Sequence, residues 1–340
     1  MAKKVILVTG ATGKQGRALI HALKLGDTES NVEPEFHVLA LTRTVSSPAA
    51  NEVAAHNTQH VTVVQGTLDS ADDIRKIFED AKRERGGVWG VFCVLAFPGL
   101  GANADGEEKQ GKTLADIAAE YGVSSYIFSS VERGGEYNDD NAQLDRRAKV
   151  MIERHIRVLG ESKGLPWTIL RPGFFMENYE NTIGSIAVGV LKKGLKPTTT
   201  NQLVAAEDIG HVAEAVFQSP QNYASQIMVI AGESSTMAQQ EESYKRATGK
   251  HLPSIPGFLA WPLLALNSHT KALIADIERV HDAGVSGKCP EVVEQTALAK
   301  RAYPEMQTFE MWARRRVGKA PDQGKDWNQV SIGRLATGTL

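Results

Sequence analysis

This 340-residue chain has few cysteines, no large excess of either charge and no long apolar run. Cys93 and Cys289 are far apart in the sequence and form no CxxC pair, so we expect neither a disulfide framework nor a zinc site. Two cysteines without such a pattern fit a protein of a reducing compartment. The nine histidines show no metal-ligand spacing. The formal net charge is -2, whereas a surface that follows nucleic-acid phosphates usually needs a basic excess. We therefore expect no bound metal and no direct binding of nucleic acid.

The two longest apolar runs are too short to act on a membrane. Residues 5–8 stop at a glycine-rich turn, which is unlike a signal peptide. Residues 258–266 fall short of the roughly 20 that a membrane span needs, and Pro262 interrupts them. We expect a soluble protein that is located in the cytoplasm and could also occur in the nucleus. The run 258–266 is expected in the core or in the wall of an apolar pocket.

Short apolar runs alternate with helical patterns through the first half of the chain. They predict strands at residues 5–9, 37–42, 61–65, 90–96, 125–129 and 167–170. Ser70, followed by acidic residues, predicts the N-terminus of a helix. Strands this apolar, separated by helices, indicate a parallel sheet that is covered on both faces. The predicted fold class is therefore α/β, with a doubly wound parallel sheet over residues 1–170.

The regular alternation of apolar strands and helical patterns becomes weaker after residue 170. A helix over 209–217, a strand over 226–230 and helical patterns to about 316 predict a smaller α+β region, residues 171–318, that binds a substrate or a partner. Residues 26–36 are long and polar, which predicts a surface insertion. Residues 319–340 hold few apolar side chains, so we expect a weakly ordered tail.

A glycine-rich turn follows the first predicted strand and opens the first predicted helix. It consists of Gly10, Ala11, Thr12, Gly13, Lys14, Gln15 and Gly16. The first glycine allows a tight turn, the second lets the backbone approach a diphosphate, and the third lets the helix pack closely on the strand. The helix N-terminus adds a partial positive charge. The turn predicts a Rossmann-type domain that binds a dinucleotide; the alternative is an ordinary βα turn without a ligand.

The end of the second predicted strand indicates which dinucleotide is bound. An acidic residue there would take the ribose 2′-hydroxyl of NAD, but the sequence Ala-Leu-Thr-Arg-Thr at 40–44 has no acid in reach. Arg43 is instead placed to pair with a 2′-phosphate, and Ser46 and Ser47 could add hydrogen bonds. We predict NADP(H) over NAD(H); the alternative is that Arg43 is a solvated loop cation.

Six motifs, in this order, resemble the NmrA-like family. They are VTGATGKQG at 8–16, LTR at 41–43, KQGK at 109–112, SSVE at 129–132, LRPGFFMEN at 170–178, and Tyr303-Pro304 through Thr308-Phe309-Glu310-Met311-Trp312. The resemblance covers about residues 3–316. It implies the fold of an atypical short-chain dehydrogenase/reductase that binds NADP.

The resemblance also implies where the cofactor is contacted. Pyrophosphate contacts fall on Gly10 through Gln15, and the 2′-phosphate contact falls on Arg43. The remaining contacts are Thr67 and Leu68 near the adenine, Leu95, Ala96 and Phe97 after the fourth strand, the lysines Lys109 and Lys149, and Phe175, Met176, Glu177 and Asn178 at the nicotinamide end. The alternatives are plain packing for 95–97 and core aromatic positions for Phe174 and Phe175.

The usual catalytic pair of a short-chain reductase, Tyr-x-x-x-Lys, is missing. Lys149 matches the lysine, but Asp145 stands at the position of the tyrosine, where NmrA-like relatives commonly have histidine. We expect Asp145 and Lys149 to form an i,i+4 ion pair. Lys149 could still hold the nicotinamide ribose or act alone as a weak acid. Ser129 and Ser130 could polarise a carbonyl or simply cap a strand.

Two functions of different class follow from these residues. One is an NADP(H)-binding, redox-responsive regulator whose cofactor changes a surface recognised by a protein partner. The other is an NADPH-dependent oxidoreductase or isomerase that acts on a small apolar carbonyl, enone or quinone, with Lys149 as its key residue and 258–266 as an apolar lid. A serine hydrolase is disfavoured because there is no Gly-x-Ser-x-Gly elbow.

Overall fold

A computed structural model describes residues 3–23, 35–56, 59–96, 104–137 and 139–318. Its strands are β1 (Lys4–Val8), β2 (Phe36–Thr42), β3 (Val61–Gln65), β4 (Gly90–Cys93), β5 (Ser125–Ser129), β6 (Trp167–Pro172), β7 (Phe174–Phe175), β8 (Thr200–Val204), β9 (Gln226–Ile230) and β10 (Glu233–Thr236). Seven of them form a parallel sheet in the order β3-β2-β1-β4-β5-β6-β9. The other three form a small mixed sheet in the order β10-β8-β7.

The helices of the described residues lie between and after these strands. They are α1 (Lys14–Ala22), α2 (Pro48–His56), α3 (Ala71–Arg85), α4 (Asp105–Glu120), α5 (Leu144–Lys163), α6 (Asn181–Gly194), α7 (Ala206–Gln218), α8 (Pro220–Tyr223), α9 (Met237–Thr248), α10 (Gly257–Leu266), α11 (Ser268–Val285), α12 (Glu291–Ala302) and α13 (Phe309–Arg315). Two short 3-10 helices add Asp139–Asn141 and Met176–Tyr179.

The large sheet is a doubly wound Rossmann-type sheet, which confirms the predicted fold class. Successive residues of β1 point to opposite faces: Val5 and Leu7 pack against α3, α4 and α5, while Ile6 and Val8 pack against α1 and α7. Both faces are therefore apolar, as a buried parallel sheet requires. The strand order reverses between β1 and β4, and the crevice at their carboxyl ends is where such folds bind ligands.

Most predicted elements of the first half are present, whereas the small sheet was not predicted. Ser70 caps α3 as expected, because its Oγ accepts a hydrogen bond from Asp73 N at 3.1 Å. β8 and β10 carry Thr, Asn, Gln, Glu and Ser, so they show no apolar run in the sequence. The predicted tail at 319–340 and most of the predicted insertion at 26–36 lie outside the described residues. Phe36, at the end of that insertion, is instead the buried first residue of β2.

The apolar run 258–266 forms α10, and its predicted place in the core is wrong for most of it. Phe258 is 74% exposed, Trp261 61% and Leu266 85%, whereas Ala260 is buried. The helix lies on α6 and α11. The run has no polar residue to mark a solvent face, so its sequence could not show which side chains turn outwards. None of the helices described is long and apolar enough to cross a membrane.

The segment before α13 docks on α7 through a buried carboxylate. Asp208 is fully buried and accepts a hydrogen bond from Gln307 N at 2.9 Å. Burial raises the pKa of Asp208 to about 6, although the hydrogen bonds from Gln307 favour the ionised form. The contact therefore joins the segment before α13 to α7 through a carboxyl group whose ionisation burial makes unfavourable.

We predict that Asp208 makes the native state less stable as the pH rises. Its native pKa lies above the unfolded value, so its contribution is most favourable below pH 4 and declines until about pH 6. Relative to Asp208→Asn, which does not titrate, the wild type should lose roughly 2 kcal/mol of unfolding free energy over this range. Urea unfolding of both proteins from pH 4 to 7 measures the difference. A difference that does not change with pH would contradict the assignment.

Candidate dinucleotide site

The glycine turn between β1 and α1 is closed by contacts that only glycine allows. Gly10 has a φ of 58°, and its carbonyl accepts a hydrogen bond from Gly13 N at 2.9 Å. A Cβ atom on Gly16 would lie 2.4 Å from Gly10 O and 2.6 Å from the Cα of Ala11. The first turn of α1 therefore lies directly against the turn that precedes it. Thr12 and Gly13 are half-buried at its rim.

The N-terminus of α1 is free of the groups that usually neutralise a helix end. Gly13 occupies the N-cap position in an extended conformation, and neither a capping side chain nor an acidic residue occurs in the first turn. The partial positive charge of this helix end faces the crevice between β1 and β4. A side chain would be strained at Gly10, whose φ is positive, and would have no room at Gly16, so the backbone of this turn is open to close approach by a ligand. This geometry fits a dinucleotide diphosphate.

Two polar contacts fix the turn to the neighbouring strands. Thr9 Oγ1 lies 2.8 Å from both the N and the O of Val94, which joins the end of β1 to the end of β4. Ser129 Oγ donates a hydrogen bond to Gln15 Oε1 at 2.6 Å. In this structure Ser129 is therefore used to position the first turn of α1 against β5.

The side chains predicted for the adenosine end lie together beside β2 and β3. Gly66 N donates to Thr42 O at 3.0 Å, which brings the loop after β3 next to the end of β2. Arg43 is exposed on this edge, and Thr67 and Leu68 are half-buried beside it. These three predicted contacts share one surface.

Asp69 belongs to the same surface and was missed from the sequence. Gln110 Nε2 donates to its carboxylate at 2.7 Å and Thr67 Oγ1 at 3.2 Å. These hydrogen bonds, and then the charges of Arg43 and Lys109, lower the pKa of Asp69. Residues 40–44 themselves hold no acid, but Asp69 brings a carboxylate close enough to Arg43 for its charge to act on that carboxylate. The acid comes from the loop after the neighbouring strand, which an inspection of the second strand alone does not include.

Lys149 does not make the ion pair predicted for it. Its Nζ lies 2.5 Å from Oε1 of Glu107, in the first turns of α4, and 5.4 Å from the centre of the Phe128 ring. Asp145, one turn earlier on α5, is not its partner. Both members of the observed pair are shielded from solvent, with side chains 14% and 3% exposed. Glu107 was missed because it is far from Lys149 in sequence and sits among other acids of a helix start.

The residues predicted to contact the cofactor after β4 and β6 differ in how deeply they are buried. Leu95 is buried and packs in the core, Ala96 is exposed, and Phe97 lies outside the described residues. Phe175 and Asn178 are half-buried. The lysine Lys109 is exposed on α4.

Met176 and Glu177 are buried and contribute to packing. The Glu177 carboxylate accepts hydrogen bonds from Ala206 N at 3.2 Å and from Trp312 Nε1 at 3.3 Å. Burial raises the pKa of Glu177. Phe174 packs edge-to-face on Tyr179, as the core alternative expected. The carboxylate of Glu177 thus ties α7 to α13.

Nothing in the described part of the chain forms a second reactive centre of the kinds considered from the sequence. Burial raises the pKa of Cys93 to about 11, so its thiol stays protonated. The hydroxyl of Tyr126 is enclosed in β5, where burial raises its pKa as well. No group of three or more His, Cys, Asp or Glu among the described residues could hold a metal ion.

Comparison with known proteins identifies the family of this chain. The model of the NmrA-like family matches residues 2–310. The chain belongs to the NmrA-like family. The NmrA-like family domain-containing oxidoreductase ptmS of Penicillium ochrochloron is 24% identical over 288 residues, which are 76% of this chain and 77% of the relative. A second relative, the NmrA-like family domain-containing oxidoreductase lnaB of Aspergillus flavus, is 28% identical over 181 residues. These residues are 52% of this chain and 48% of the relative.

A regulator is also among the relatives. The nitrogen metabolite repression protein nmr of Neurospora crassa is 27% identical over 198 residues, which are 52% of this chain and 36% of that protein. The solved structure of NmrA, a negative transcriptional regulator, in complex with NAD has a TM-score of 0.67 at 20% identity and covers 96% of this chain and 99% of NmrA. A complex of NmrA with NADP has a TM-score of 0.61 at 19% identity, with 92% and 95% covered. These structures share the fold of this chain.

We predict that Gly16→Ala destabilises the turn. The new methyl group would meet Gly10 O at 2.4 Å, so the unfolding free energy should fall by about 2 kcal/mol. Gly106→Ala, in the first turn of α4, is the control because its Cβ would meet nothing within 4 Å. Helix propensity should make that variant as stable as the wild type or up to about 1 kcal/mol more stable. Chemical unfolding compares the two, and equal stability of both variants would disprove the close packing.

Proposed function

We propose that this chain is an NADP(H)-binding regulator that senses the cofactor and presents a cofactor-dependent surface to a protein partner. The glycine turn and the uncapped N-terminus of α1 form the binding site for the diphosphate, and Arg43 provides a cation at the adenosine end. The pairing of Lys149 with buried Glu107 is the observation that carries the regulatory part of the proposal. The regulatory names of nmr and NmrA support the same direction.

The Lys149–Glu107 pair argues against routine proton donation at the nicotinamide end. A nicotinamide cofactor supplies hydride chemistry when bound, and the protein then has to provide a proton. The ammonium of Lys149 is instead held 2.5 Å from a carboxylate that is itself enclosed. No tyrosine precedes it by one helical turn, because Asp145 stands there. These side chains are suited to holding a cofactor and lack the usual proton donor.

The preference for NADP(H) rests on Arg43 and is moderated by Asp69. A guanidinium binds a phosphate through two parallel hydrogen bonds, which favours the 2′-phosphate. The Asp69 carboxylate is close enough to influence Arg43 electrostatically, and it would repel a second anion at the same place. A competition between these two side chains therefore sets the selectivity.

We predict opposite effects of two substitutions on cofactor preference. Arg43→Ala should weaken NADP(H) binding by roughly tenfold or more and change NAD(H) binding little. Asp69→Asn should tighten NADP(H) binding by a few-fold, because it removes the competing charge. Arg83→Ala, an exposed arginine of α3 that pairs with Asp80, is the control. Calorimetric titration of the wild type and the three variants with each cofactor measures these affinities; equal wild-type affinities for NADP(H) and NAD(H) would overturn the preference.

A second candidate is an NADPH-dependent oxidoreductase that acts on a small apolar carbonyl, enone or quinone. The names of ptmS and lnaB favour it. Lys149 would then be its catalytic residue, provided that it leaves Glu107 when a substrate is present. Exposed Phe258 and Trp261 of α10 are candidates for its apolar lid.

Nicotinamide absorbance separates the two candidates. We predict that the wild type, incubated with NADPH and a panel of quinones, enones and aldehydes, consumes no more cofactor than Lys149→Ala does. Consumption that the wild type shows and Lys149→Ala lacks would establish the oxidoreductase instead.

For the regulator, an affinity capture with and without NADP(H) should recover a partner whose binding depends on the cofactor. An unchanged set of bound proteins would count against it.

A further inference from the structure

The glycine turn is connected to the C-terminal helix by one carboxylate. Lys14, the first residue of α1, places its Nζ 3.0 Å from Oε2 of Glu180. The other oxygen of Glu180 accepts a hydrogen bond from the guanidinium of Arg316, which directly follows α13. Glu180 thus holds two cations, one from the proposed binding site for the diphosphate and one from the end of α13.

This connection is shielded from solvent. The side chains of Lys14 and Glu180 are 11% and 8% exposed, so water screens their interaction less than on an open surface. Arg316 is a third exposed, and its guanidinium lies 5.0 Å from the centre of the Trp312 ring. It also reaches Glu177 Oε1 at 3.4 Å.

The carboxylate is the fixed member of the group and the two cations are the adjustable ones. Glu180 is the N-cap residue directly before α6, and its carbonyl accepts a hydrogen bond from Gly184 N at 2.9 Å. A Cβ on Gly184 would lie 2.2 Å from the carbonyl carbon of Tyr179, so the backbone here is closely packed. Lys14 and Arg316, in contrast, are long side chains that can change partners without moving the backbone.

We propose that Glu180 is a positioning residue of the dinucleotide site, and that it couples cofactor occupancy to the docking of α13 by sharing its charge between Lys14 and Arg316. A diphosphate at the N-terminus of α1 would compete with Glu180 for the ammonium of Lys14. Glu180 would then rely on Arg316 and hold the end of α13 more firmly. By linkage, a more firmly docked α13 raises the affinity for the cofactor.

This coupling rests on the proposed function, because it requires a dinucleotide to bind at the turn. It adds a physical route from that cofactor to a surface. α13 is anchored by buried Phe309 at its start and buried Trp312 at its centre, whereas its last turn depends on the charge of Glu180 and Glu177. The cofactor would therefore act on the last turn of α13 rather than on its anchor.

Titration of Glu180→Gln with NADP⁺ tests the positioning role. Glutamine keeps the shape and a hydrogen-bond acceptor but removes the charge that retains Lys14. The affinity for NADP⁺ should rise about fivefold, within the range of ordinary coupling energies. A purely structural Glu180 would leave the affinity unchanged or lower it, and either result would overturn the proposal.

Two further variants show whether the gain passes through Lys14. In a Lys14→Gln background, Glu180→Gln should change the affinity less than about twofold, because the residue that it releases is gone. An equal fivefold gain in both backgrounds would show simple charge repulsion and refute the coupling. Glu207→Gln is the matched control: it removes an exposed carboxylate that lies 3.5 Å from Arg315 of α13 but does not touch Lys14. Its affinity should equal that of the wild type.

Hydrogen exchange over residues 309–316 reports on α13 itself. In the wild type and in Glu207→Gln, saturating NADP⁺ should slow exchange in this segment, whereas in Glu180→Gln it should have no effect although the cofactor is bound. If the wild type binds NADP⁺ with unchanged exchange in 309–316, only the coupling is wrong. If the wild type binds neither NADP⁺ nor NAD⁺, the proposed function fails and the coupling with it.

Discussion

Two close backbone approaches hold helix α1 in place, and the arrangement of the site depends on them. A Cβ on Gly16 would lie 2.4 Å from Gly10 O, and one on Gly210 of α7 would lie 2.4 Å from the carbonyl carbon of Ala18. Helix α1 is thus packed between its own turn and α7 at distances that exclude any side chain. Its N-terminus is fixed at the carboxyl edge between β1 and β4, where an anion can approach it.

The helix that α1 packs against also joins it to the C-terminal part of the chain. The start of α7 is capped by Glu177, which also holds Trp312 of α13. Three residues further along, Glu180 holds Lys14 of α1. Helices α1 and α7 are therefore connected to α13 through the neighbouring carboxylates of Glu177 and Glu180. If the proposed regulatory function holds, these charges would link binding at the turn to the exposure of a surface at α13.

The fold was largely predictable from the sequence, because apolar runs and turn glycines are local signals. Part of the candidate site could be located from the sequence, because the turn follows β1 and Arg43 follows β2, whereas Asp69 and Glu107 come from other elements and carry no motif. That these residues bind a cofactor stays a prediction. The small sheet escaped because β8 and β10 are polar. The exposure of α10 could not be predicted, because a run without polar residues shows no alternation between apolar and polar positions. Each failure concerns a property that is set by the packing of segments distant in sequence and not by a local pattern.

The most direct test of the account is a crystal structure of the wild type with NADPH. The account predicts a diphosphate against the N-terminus of α1 between Gly10 and Gln15, and a 2′-phosphate within hydrogen-bond distance of the Arg43 guanidinium. A nucleotide bound elsewhere on the chain would contradict the central claim. A diphosphate in place with Arg43 turned away into solvent would contradict the preference for the phosphorylated cofactor.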